Sequence, residues 1–509
     1  MLSRRSGRRI GRAARRLLLS GVLLLVAGRP AGAAALWETV VERARELARE
    51  PFADVERVVP SWLTGLTYDQ WRDIRYRPQD ALWNDGEVPF QVQLFHPGFY
   101  YNRVVVVNVV DGSHVTPVPF SPSHFDYGHN EFASRVPPDL GFAGFRLHAP
   151  IKSSDYFDEV IVFLGASYFR AVGRDQVFGL SSRGLAVDTA ESHGEEFPFF
   201  REFWLEKPAP RAQEMVVYAL LDSESVTGAY RFVVRPGRST TTDVEVVLFP
   251  RRDIAKLGIA PLTSMFFHGE NTERHFDDFR PEAHDSDGLL AHLPPDEWLW
   301  RPIDNPKSLQ VTSFETVSPL GFGLVQRDRA FESYQDLETR AELRPSAWVE
   351  PVGAWGPGRI ELVEIPTKSD TNDNVVVYWV PAAEARPGQP LELAYRLSWY
   401  GEDLARPPLA RTLATRRDRG ANGESERFVI DFSGPELDAI PPGEVVHARV
   451  TARRAGENVD LLGQHLVKNP LLGGYRLTLE VRGGPADLRA ALERNGQPVT
   501  ETWAYRIAP

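Results

Sequence analysis

A polar turn between two strand-like runs contains the acidic residue that is best placed for chemistry. The run 359–365 mixes apolar and acidic residues, as a half-buried β-strand does, and 375–380 is β-branched and aromatic, as a buried strand is. The turn between them reads Thr-Asn-Asp-Asn and puts Asp373 at the mouth of the second strand. Indole rings are close to it in sequence, at Trp348, Trp355 and Trp379.

This combination suits a cleft that processes sugars. Aromatic faces stack on pyranose rings, and a carboxyl group can move protons. A plain turn would look the same, because Asn and Asp tolerate left-handed backbone and bond to their own main chain. Glycoside hydrolysis also needs a second carboxyl group, and spacing alone does not select it among the 69 acidic residues. Both interpretations therefore stay open at this point.

The segment 280–288 is a second polar cluster, in which His284 and Asp285 precede Ser-Asp-Gly. Asp-x-Asp-Gly is part of a calcium-loop pattern, but the remaining ligand positions of that pattern are missing. His284 and Asp285 also lack a further metal ligand at usable spacing. We therefore expect an acidic turn that holds no metal, and no cofactor in the protein.

Two glutamates and one arginine are further candidates for functional-site residues. Glu195 and Glu196 are adjacent, so on a strand they point to opposite faces and at most one reaches a given site. Arg183 lies between small residues, and if it is buried it needs a carboxylate partner, for which Asp188 and Glu196 are candidates. No Gly-x-Ser-x-Gly nucleophile motif surrounds the serines beside Arg183.

Composition limits the function classes. The 509 residues are too many for one ordinary domain, and 42% of them are hydrophobic, so large cores can form. Forty Gly and forty Pro, with many Val, Phe, Trp and Tyr, favour an all-β protein. The formal net charge of −11 argues against binding nucleic acid or anionic membranes. The absence of cysteine excludes disulfides and leaves stability to packing.

Residues 1–35 have the features of an export signal. Seven arginines precede an eleven-residue stretch, 17–27, that is almost wholly apolar and too short to span a bilayer unaided. Small residues at 31–35 offer cleavage sites. Without the eight arginines of this leader, the net charge falls from −11 to −19. We expect a periplasmic protein with no stable membrane insertion after cleavage; an uncleaved anchor is the alternative.

The rest of the chain predicts one helix followed by strands. Residues 36–50 have apolar residues at helical spacing. Short strands separated by Gly- and Pro-rich turns then predict a large antiparallel β-sandwich. The Ala/Pro/Gly stretch 382–390 is the predicted linker, and a smaller sandwich follows from 391–400 onward. We expect a further strand at 176–180 and an exposed loop at 409–422.

Long segments of this chain resemble the glucans biosynthesis protein G and D family of Gram-negative bacteria. The resemblance covers nearly the whole chain after the leader. The segments that carry it are DLGFAGFRL, FLGASYFRAV, GLSSRGLAVDTA, EEFPFFREFW, YALLDSESVTGAYRF, LGIAPLTSMF, HDSDGL, WRPIDNPK, GFGLVQRDR, RPSAWVEP and LVEIPTKSDTNDNVVVYW. The segment 408–418 is more similar to type D, while length and composition do not separate the two types, so the subtype stays open.

The resemblance implies a fold and an activity. The fold is a large N-terminal β-sandwich (36–384) joined to a smaller immunoglobulin-like β-sandwich (385–509). The substrates are osmoregulated periplasmic glucans, and characterised members are similar to inverting endo-β-1,2-glucanases. The family's general acid corresponds to Asp373 and its proposed base to Asp285, acting through a relay of a substrate hydroxyl and ordered water. The two carboxyl groups can then lie farther apart than the ~6.5–9.5 Å usual for inverting enzymes.

A protein of this kind needs groups that hold the glucan. Arg183 is a candidate, and so are aromatic platforms, although large aromatics are more often core than ligand-facing. The candidate platforms are Trp355, Trp379, Tyr168, Phe169 and Trp83. The expected partners are a β-glucan and the inner-membrane glucan synthase. The alternative function is a non-catalytic protein that binds glucan and assists backbone synthesis or β-1,6 branching.

Overall fold

The structure, a computed structural model, describes residues 31–54, 59–273, 277–402, 407–420, 423–441, 443–454, 456–459 and 461–507. The basic and apolar parts of the predicted export signal, and hence that prediction, lie outside these residues. Among the helices of the described residues, none is long and apolar enough to cross a membrane.

Helix is scarce and mostly confined to the N-terminus. The helices are α1 (Ala31–Leu47), α2 (Ser61–Thr64), α3 (Tyr68–Arg72), α4 (Phe331–Tyr334) and α5 (Pro435–Asp438), with single 3₁₀ turns at Pro78–Asp80, Pro122–His124, Ala133–Arg135 and Ala341–Leu343. The amphipathic pattern of α1 buries Val40 and Ala44 against the outer face of a sheet. The Thr227 hydroxyl donates a hydrogen bond to the Ala44 carbonyl at 2.7 Å, which fixes the helix in place.

Strands make up most of the chain. The first half contains β1 (Arg75–Tyr76), β2 (Gln91–Phe95), β3 (Val106–Asp111), β4 (His114–Pro117), β5 (Phe125–Asp126), β6 (Gly144–Ser153), β7 (Tyr156–Leu164), β8 (Tyr168–Ala171), β9 (Ser181–Arg183), β10 (Leu185–Val187), β11 (Phe199–Glu206), β12 (Met215–Asp222), β13 (Val226–Arg235), β14 (Thr240–Pro250), β15 (Leu257–Ser264), β16 (Phe266–His268) and β17 (Ala283–His284). The second half contains β18 (Gly288–Leu293), β19 (Glu297–Pro302), β20 (Gln310–Thr316), β21 (Gly321–Val325), β22 (Ser346–Pro351), β23 (Gly358–Glu364), β24 (Val375–Pro381), β25 (Leu391–Tyr400), β26 (Arg411–Arg419), β27 (Ser425–Ser433), β28 (His447–Arg454), β29 (Glu457–Asn458), β30 (Leu461–Lys468), β31 (Tyr475–Arg482), β32 (Ala486–Arg494), β33 (Gln497–Pro498) and β34 (Thr502–Ile507).

Three large sheets contain most of these strands, and the pairs β1–β5 and β16–β17 form two separate two-stranded sheets. The first has the order β2-β6-β7-β8-β9-β15-β24-β23-β20, with β10 also paired to β15. The second has the order β29-β28-β32-β34-β19-β18-β21-β22-β25-β14-β13-β12-β11-β3-β4, with β33 also paired to β32. The third has the order β26-β27-β31-β30. Neighbours are antiparallel except for the parallel pairs β3–β11 and β19–β34. The all-β prediction is confirmed.

The first and second sheets pack face to face around an aromatic core. Rings from β6, β7 and β8 meet rings from β11, β13 and β25, at centroid distances of 5.1 Å for Phe145–Phe203, 5.2 Å for Phe163–Phe232 and 5.8 Å for Phe169–Trp399. All six rings are 2% exposed or less. Burial of such rings is the main favourable contribution to a sandwich of this type.

The third sheet packs on the other end of the second sheet and forms a separate core. Phe428 of β27 lies 5.6 Å from Trp503 and 4.9 Å from Tyr505 of β34. Because β34 pairs with β19, this core also takes in Trp298 and Trp300 of the large sandwich. One continuous sheet therefore contributes to both cores.

Three details differ from the sequence expectations. The strand at 391–400 forms, but as β25 it lies between β14 and β22 of the second sheet, so its assignment to the smaller sandwich is corrected. The expected strand at 176–180 is not a strand, and the expected loop at 409–422 contains β26. The division into two units at 384–385 stays a prediction.

Candidate active site

A short segment of main chain holds both predicted acids. The Met265 carbonyl accepts a hydrogen bond from the Asp285 N–H at 2.8 Å. The preceding carbonyl, of Ser264, accepts from the Asn374 N–H at 3.0 Å, one residue after Asp373. The end of β15 therefore fixes the start of both acidic turns relative to each other.

Asn374 is the residue that anchors the turn of Asp373. Its side chain is 3% exposed; the amide oxygen accepts from the Phe266 N–H at 2.8 Å, and the amide nitrogen donates to the carbonyls of Phe266 and Ile365. Sequence reasoning recognised this Asn as a turn residue and missed its role as an anchor. A buried Asn with three satisfied bonds leaves the adjacent Asp373 little freedom of position.

Asp373 and Asp285 line one cavity of about 280 Å³, which we call the Asp373 cavity. The volume lies near the lower end of the ~300–1,000 Å³ range of small-molecule sites. Its wall is dominated by charged and polar side chains, with few rings: Arg170, Arg280, Arg344, Glu282, His284, Asp336, Asp370, Phe178 and Tyr334.

The two acids differ in exposure and in partners. Asp285 is 6% exposed and forms an ion pair with Arg344. Burial raises the pKa of Asp285, and the positive charges of Arg344, His284 and Arg170 act against that rise. Gly179 leaves room for Arg344, because a Cβ at this position would lie about 3.0 Å from three carbons of the arginine stem.

Asp373 has no such ion pair within the part of the chain that the structure describes. Its carboxyl group opens onto the cavity, yet protein surrounds it closely on the other sides. Desolvation is the largest cause, and the negative charge of Asp285 is the second, of the rise in the pKa of Asp373 to about 6. Arg183, Arg170 and Arg344 oppose the rise. A carboxyl group with this pKa keeps its proton in a useful fraction of molecules near neutral pH.

Arg280 ties together the loops around the cavity. Its guanidinium donates to Asp278 at 2.7 Å and to Asp370 at 2.8 Å, and lies 3.5 Å from Asp336. Asp370 precedes Asp373 by three residues, so Arg280 connects the turn of the acid to two other segments. Charge-assisted bonds with a planar guanidinium constrain orientation as well as distance.

His284 joins the Asp373 cavity to an acidic cluster behind it. Its Nε2 lies 2.9 Å from Glu282 and 3.4 Å from Asp287, and its ring stacks on Phe266 at 5.2 Å. Although burial acts against a charge on the ring, Asp287 and Glu282 raise the pKa of His284 to about 9. Within the described residues, Glu282, His284 and Asp287 also form a group that could hold a metal ion.

Arg183 and Tyr168 lie together near Asp373. Arg183 is 4% exposed, donates from Nε to the Thr263 hydroxyl at 2.9 Å, and lies 5.0 Å from the Tyr168 ring centroid. Its carboxylate partner is Glu195, so the expectation of Asp188 or Glu196 was wrong. Glu196 has a different partner and accepts from the Ser225 hydroxyl, and neither glutamate lies in one of the strands given above.

The remaining aromatic candidates lie away from the cavity wall. Trp379 is 0% exposed and Phe169 is 1% exposed, so neither can stack on a sugar, and these two platform predictions are corrected. Both belong to the main core because their strands are covered on that face. Trp355 is half-buried and donates its indole N–H to the Ala394 carbonyl at 3.1 Å. Trp83 is half-buried and packs against the main core.

Several cavity residues escaped sequence reasoning. Arg170, Arg280 and Arg344 are scattered over the chain, and no local motif marks them. Phe178 and Tyr334 are the rings that do line the cavity. The family resemblance was a usable signal for two of them, since the quoted segment FLGASYFRAV contains Arg170 and RPSAWVEP begins with Arg344.

Comparison with known proteins identifies the family. The model of the family described as periplasmic glucan biosynthesis protein, MdoG, matches residues 36–507. The chain is 48% identical to glucans biosynthesis protein G of Ralstonia nicotianae, over 97% of this chain and 99% of that protein. It is 48% identical to the protein of the same name from Bradyrhizobium diazoefficiens, over 92% and 93% of the two chains. Identity to the Vibrio cholerae protein of that name is 44%, over 92% and 86%.

Solved structures add little. A marsupial T cell receptor aligns with 52% of this chain and 87% of its own, at 9% identity and a TM-score of 0.13, which is too low to support an inference. The sequence matches extend along nearly the full length of this chain and of its relatives, and they include both acidic turns. The chain belongs to the MdoG family of periplasmic glucan biosynthesis proteins.

Proposed function

We propose that this protein is an inverting endo-β-1,2-glucanase that acts on the backbone of periplasmic glucans, with Asp373 as general acid. The observation that carries the proposal is the raised pKa of Asp373, about 6, in a cavity that this acid shares with the buried carboxyl group of Asp285. Inverting hydrolysis needs one acid to protonate the leaving oxygen and one carboxylate to activate water.

The environments of the two acids support the assignment of roles. Arg344 pairs with Asp285 and favours its negative charge. Asp373 has no ion pair among the described residues, and the negative charge of Asp285 opposes a negative charge on Asp373. Two interacting carboxyl groups titrate as a pair. We therefore assign the proton to Asp373 and the charge to Asp285, because only Asp285 has a guanidinium partner to offset its burial.

The ion pair also bears on the route of the proton. Because Asp285 is buried and paired, it cannot approach the sugar as a free carboxylate would. We propose that it receives the proton through ordered water and a substrate hydroxyl. The guanidinium groups of Arg170 and Arg280, which line the cavity, supply donors to sugar hydroxyls.

The export signal and the family description support a periplasmic location for this activity. The proposed substrate is a β-glucan, and the inner-membrane glucan synthase is the proposed partner. A non-catalytic role in backbone synthesis or branching uses the same cavity for binding alone, and the same experiment distinguishes it.

The test measures reducing ends and product anomers with purified protein and linear β-1,2-glucan. We expect hydrolysis with initial release of the α-anomer, as inversion of a β-linkage requires. Asp373→Asn should abolish cleavage and preserve glucan binding, measured by calorimetry. The control is Glu315→Gln, which replaces an exposed acid on β20, outside the cavity.

Two results would contradict the proposal. Undiminished turnover by Asp373→Asn would remove Asp373 as the acid. No product from either β-1,2- or β-1,6-glucan with the wild-type protein would favour the non-catalytic role.

A further inference from the structure

A second, smaller cavity lies next to the Asp373 cavity, and we call it the His284 cavity. Its volume is about 30 Å³, enough for one water molecule or ion. Glu282 and His284 line both cavities. Part of the wall comes from Thr412 and its neighbours on β26, so this cavity lies where the third sheet meets the large sandwich.

Three ligand-type groups converge in it. The nearest carboxylate oxygens of Glu282 and Asp287 and the ring nitrogen of His284 all lie within 4.8 Å of one another. The three side chains are 12%, 14% and 1% exposed, respectively. Glu270 and Asp328 add two more carboxyl groups to the wall.

The hydrogen bonds of Gln326 determine which nitrogen of His284 faces this group. The Gln326 amide nitrogen donates to the Tyr334 hydroxyl and to the carbonyls of His284 and Ala341. The amide oxygen therefore accepts from His284 Nδ1 at 3.1 Å. Nε2 is left facing the two carboxylates. Metal-binding histidines are held in the same way, with the other ring nitrogen donating to a fixed acceptor.

Thr412 provides an independent sign of a ligand. It is 1% exposed, and its hydroxyl has no hydrogen-bond partner among the described residues. Its main chain is fully used, since the N–H donates to Glu501 and the carbonyl accepts from Arg327. A buried hydroxyl without a partner is costly, and Thr412 is one of the residues that line the cavity containing the three ligand-type groups.

We propose that the His284 cavity binds one divalent transition-metal ion of the zinc or manganese type, through Glu282, His284 and Asp287 with the Thr412 hydroxyl as a fourth donor. One imidazole with carboxylate and hydroxyl oxygens is a donor set that these ions accept and that calcium and magnesium, which prefer oxygen alone, do not favour. The ion would neutralise the excess of carboxylates and connect β26 to the large sandwich. The proposal does not rest on the proposed hydrolysis, although Glu282 and His284 line both cavities.

The experiment uses the purified protein after removal of metal with a chelator. Zinc, manganese, calcium and magnesium chlorides are titrated separately by calorimetry, and bound metal is counted by mass spectrometry after gel filtration. We expect one equivalent of zinc or manganese and a rise in the melting temperature. Glu282→Gln and Thr412→Val should weaken binding by about tenfold or more.

The variants are chosen to keep the fold. Glu282→Gln retains an acceptor for His284, and Thr412→Val removes only a hydroxyl that has no partner. Glu332→Gln, an exposed acid on α4 outside the cavity, is the matched control and should bind metal like the wild type. Circular dichroism confirms that each variant is folded.

Three results would overturn the proposal. Metal content equal to that of the buffer blank, with no binding heat for any of the four ions, would mean that no metal binds. A proton on one of the carboxylates or a water molecule in the cavity would then take its place. Equal binding by the wild type and both site variants would place the metal elsewhere. A preference for calcium or magnesium over zinc and manganese would exclude the imidazole as a ligand.

Discussion

The pH dependence of hydrolysis offers a direct test of the roles assigned to the two acids. With the pKa of Asp373 at about 6, half of the molecules carry the catalytic proton at that pH. At pH 7 about one tenth carry it, and kcat/KM falls about tenfold for each further pH unit. The descending limb of the profile should therefore be centred near pH 6, well above the usual range of an aspartate.

Arg170→Gln should move this limb in a predictable direction. Arg170 is exposed at the cavity wall, with its guanidinium 5.3 Å from the Phe178 ring centroid. Its positive charge lowers the pKa of both Asp373 and Asp285. Removing that charge should raise the pKa of Asp373. An exposed charge contributes about 0.2–1 kcal/mol, which corresponds to a shift of about 0.2–0.7 pH unit.

The measurement is the initial rate of reducing-end release at low substrate, from about pH 4.5 to about pH 8.5, because kcat/KM reports the free enzyme. Raising the salt concentration should reduce the effect of Arg170→Gln, since salt screens an exposed charge. Arg211→Gln is the matched control, because Arg211 is exposed and lies outside the cavity wall.

Two outcomes would refute this reasoning. A rate that stays constant through neutral pH would mean that no carboxylic acid of raised pKa donates the proton. A limb that moves to lower pH in Arg170→Gln would mean that electrostatics from the cavity wall do not control the acid.

Three further predictions follow from the contacts of single residues. Arg280→Met should lower kcat by about 10–100-fold, because the loop that carries Asp370 and Asp373 is no longer held in place, and hydrogen exchange in 366–373 should become faster. Arg280→Lys should restore part of the kcat and part of the protection from exchange. Burial raises the pKa of Glu270 from 4.5 to about 7. Between about pH 4.5 and about pH 7, the folded state therefore holds a proton on Glu270 that the unfolded state has lost. Stability falls as pH rises through this window. At about pH 8 in chelator, the free energy of unfolding of Glu270→Gln should therefore be about 1–3 kcal/mol higher than that of the wild type, measured by urea denaturation. A lower free energy of unfolding would contradict this. Trp379→Phe should cost about 1–2 kcal/mol of stability, because the cost of the cavity is partly offset by loss of a buried indole N–H that has no partner among the described residues. Glucan affinity should not change.

Period-two alternation made most of the strands predictable from sequence, and β26 shows where it failed. This strand reads Arg-Thr-Leu-Ala-Thr-Arg-Arg-Asp-Arg and resembles an exposed loop in composition. It lies at the edge of the third sheet, where charged side chains protect an unpaired strand edge. The position of β25 was unpredictable for another reason, because pairing to β14 and β22 is a long-range choice that no local pattern encodes.

The candidate site was predictable only in part. Asp373 and Asp285 came from the family resemblance, and both line the same cavity. The platform predictions relied on aromatic content, and Trp379 and Phe169 lie in the core because a sandwich needs its largest rings there. Arg344 could not be predicted as a partner of Asp285, since 58 residues separate the two in sequence and only the fold brings them together.

The pairing of Asp285 with Arg344 has a consequence for any mechanism at this site. A buried carboxylate without a counter-charge would take up a proton, and two neutral acids could not divide the work of hydrolysis. Arg344 opposes this for Asp285, although burial still raises the pKa of Asp285, and Arg344 does not contact Asp373 through a hydrogen bond in the described structure. The difference between the acids thus depends on one guanidinium rather than on the acids themselves. Because Asp285 is buried and bound to Arg344, it is poorly placed to take a proton directly from the attacking water, and the proposed relay is the arrangement that keeps both the ion pair and the chemistry.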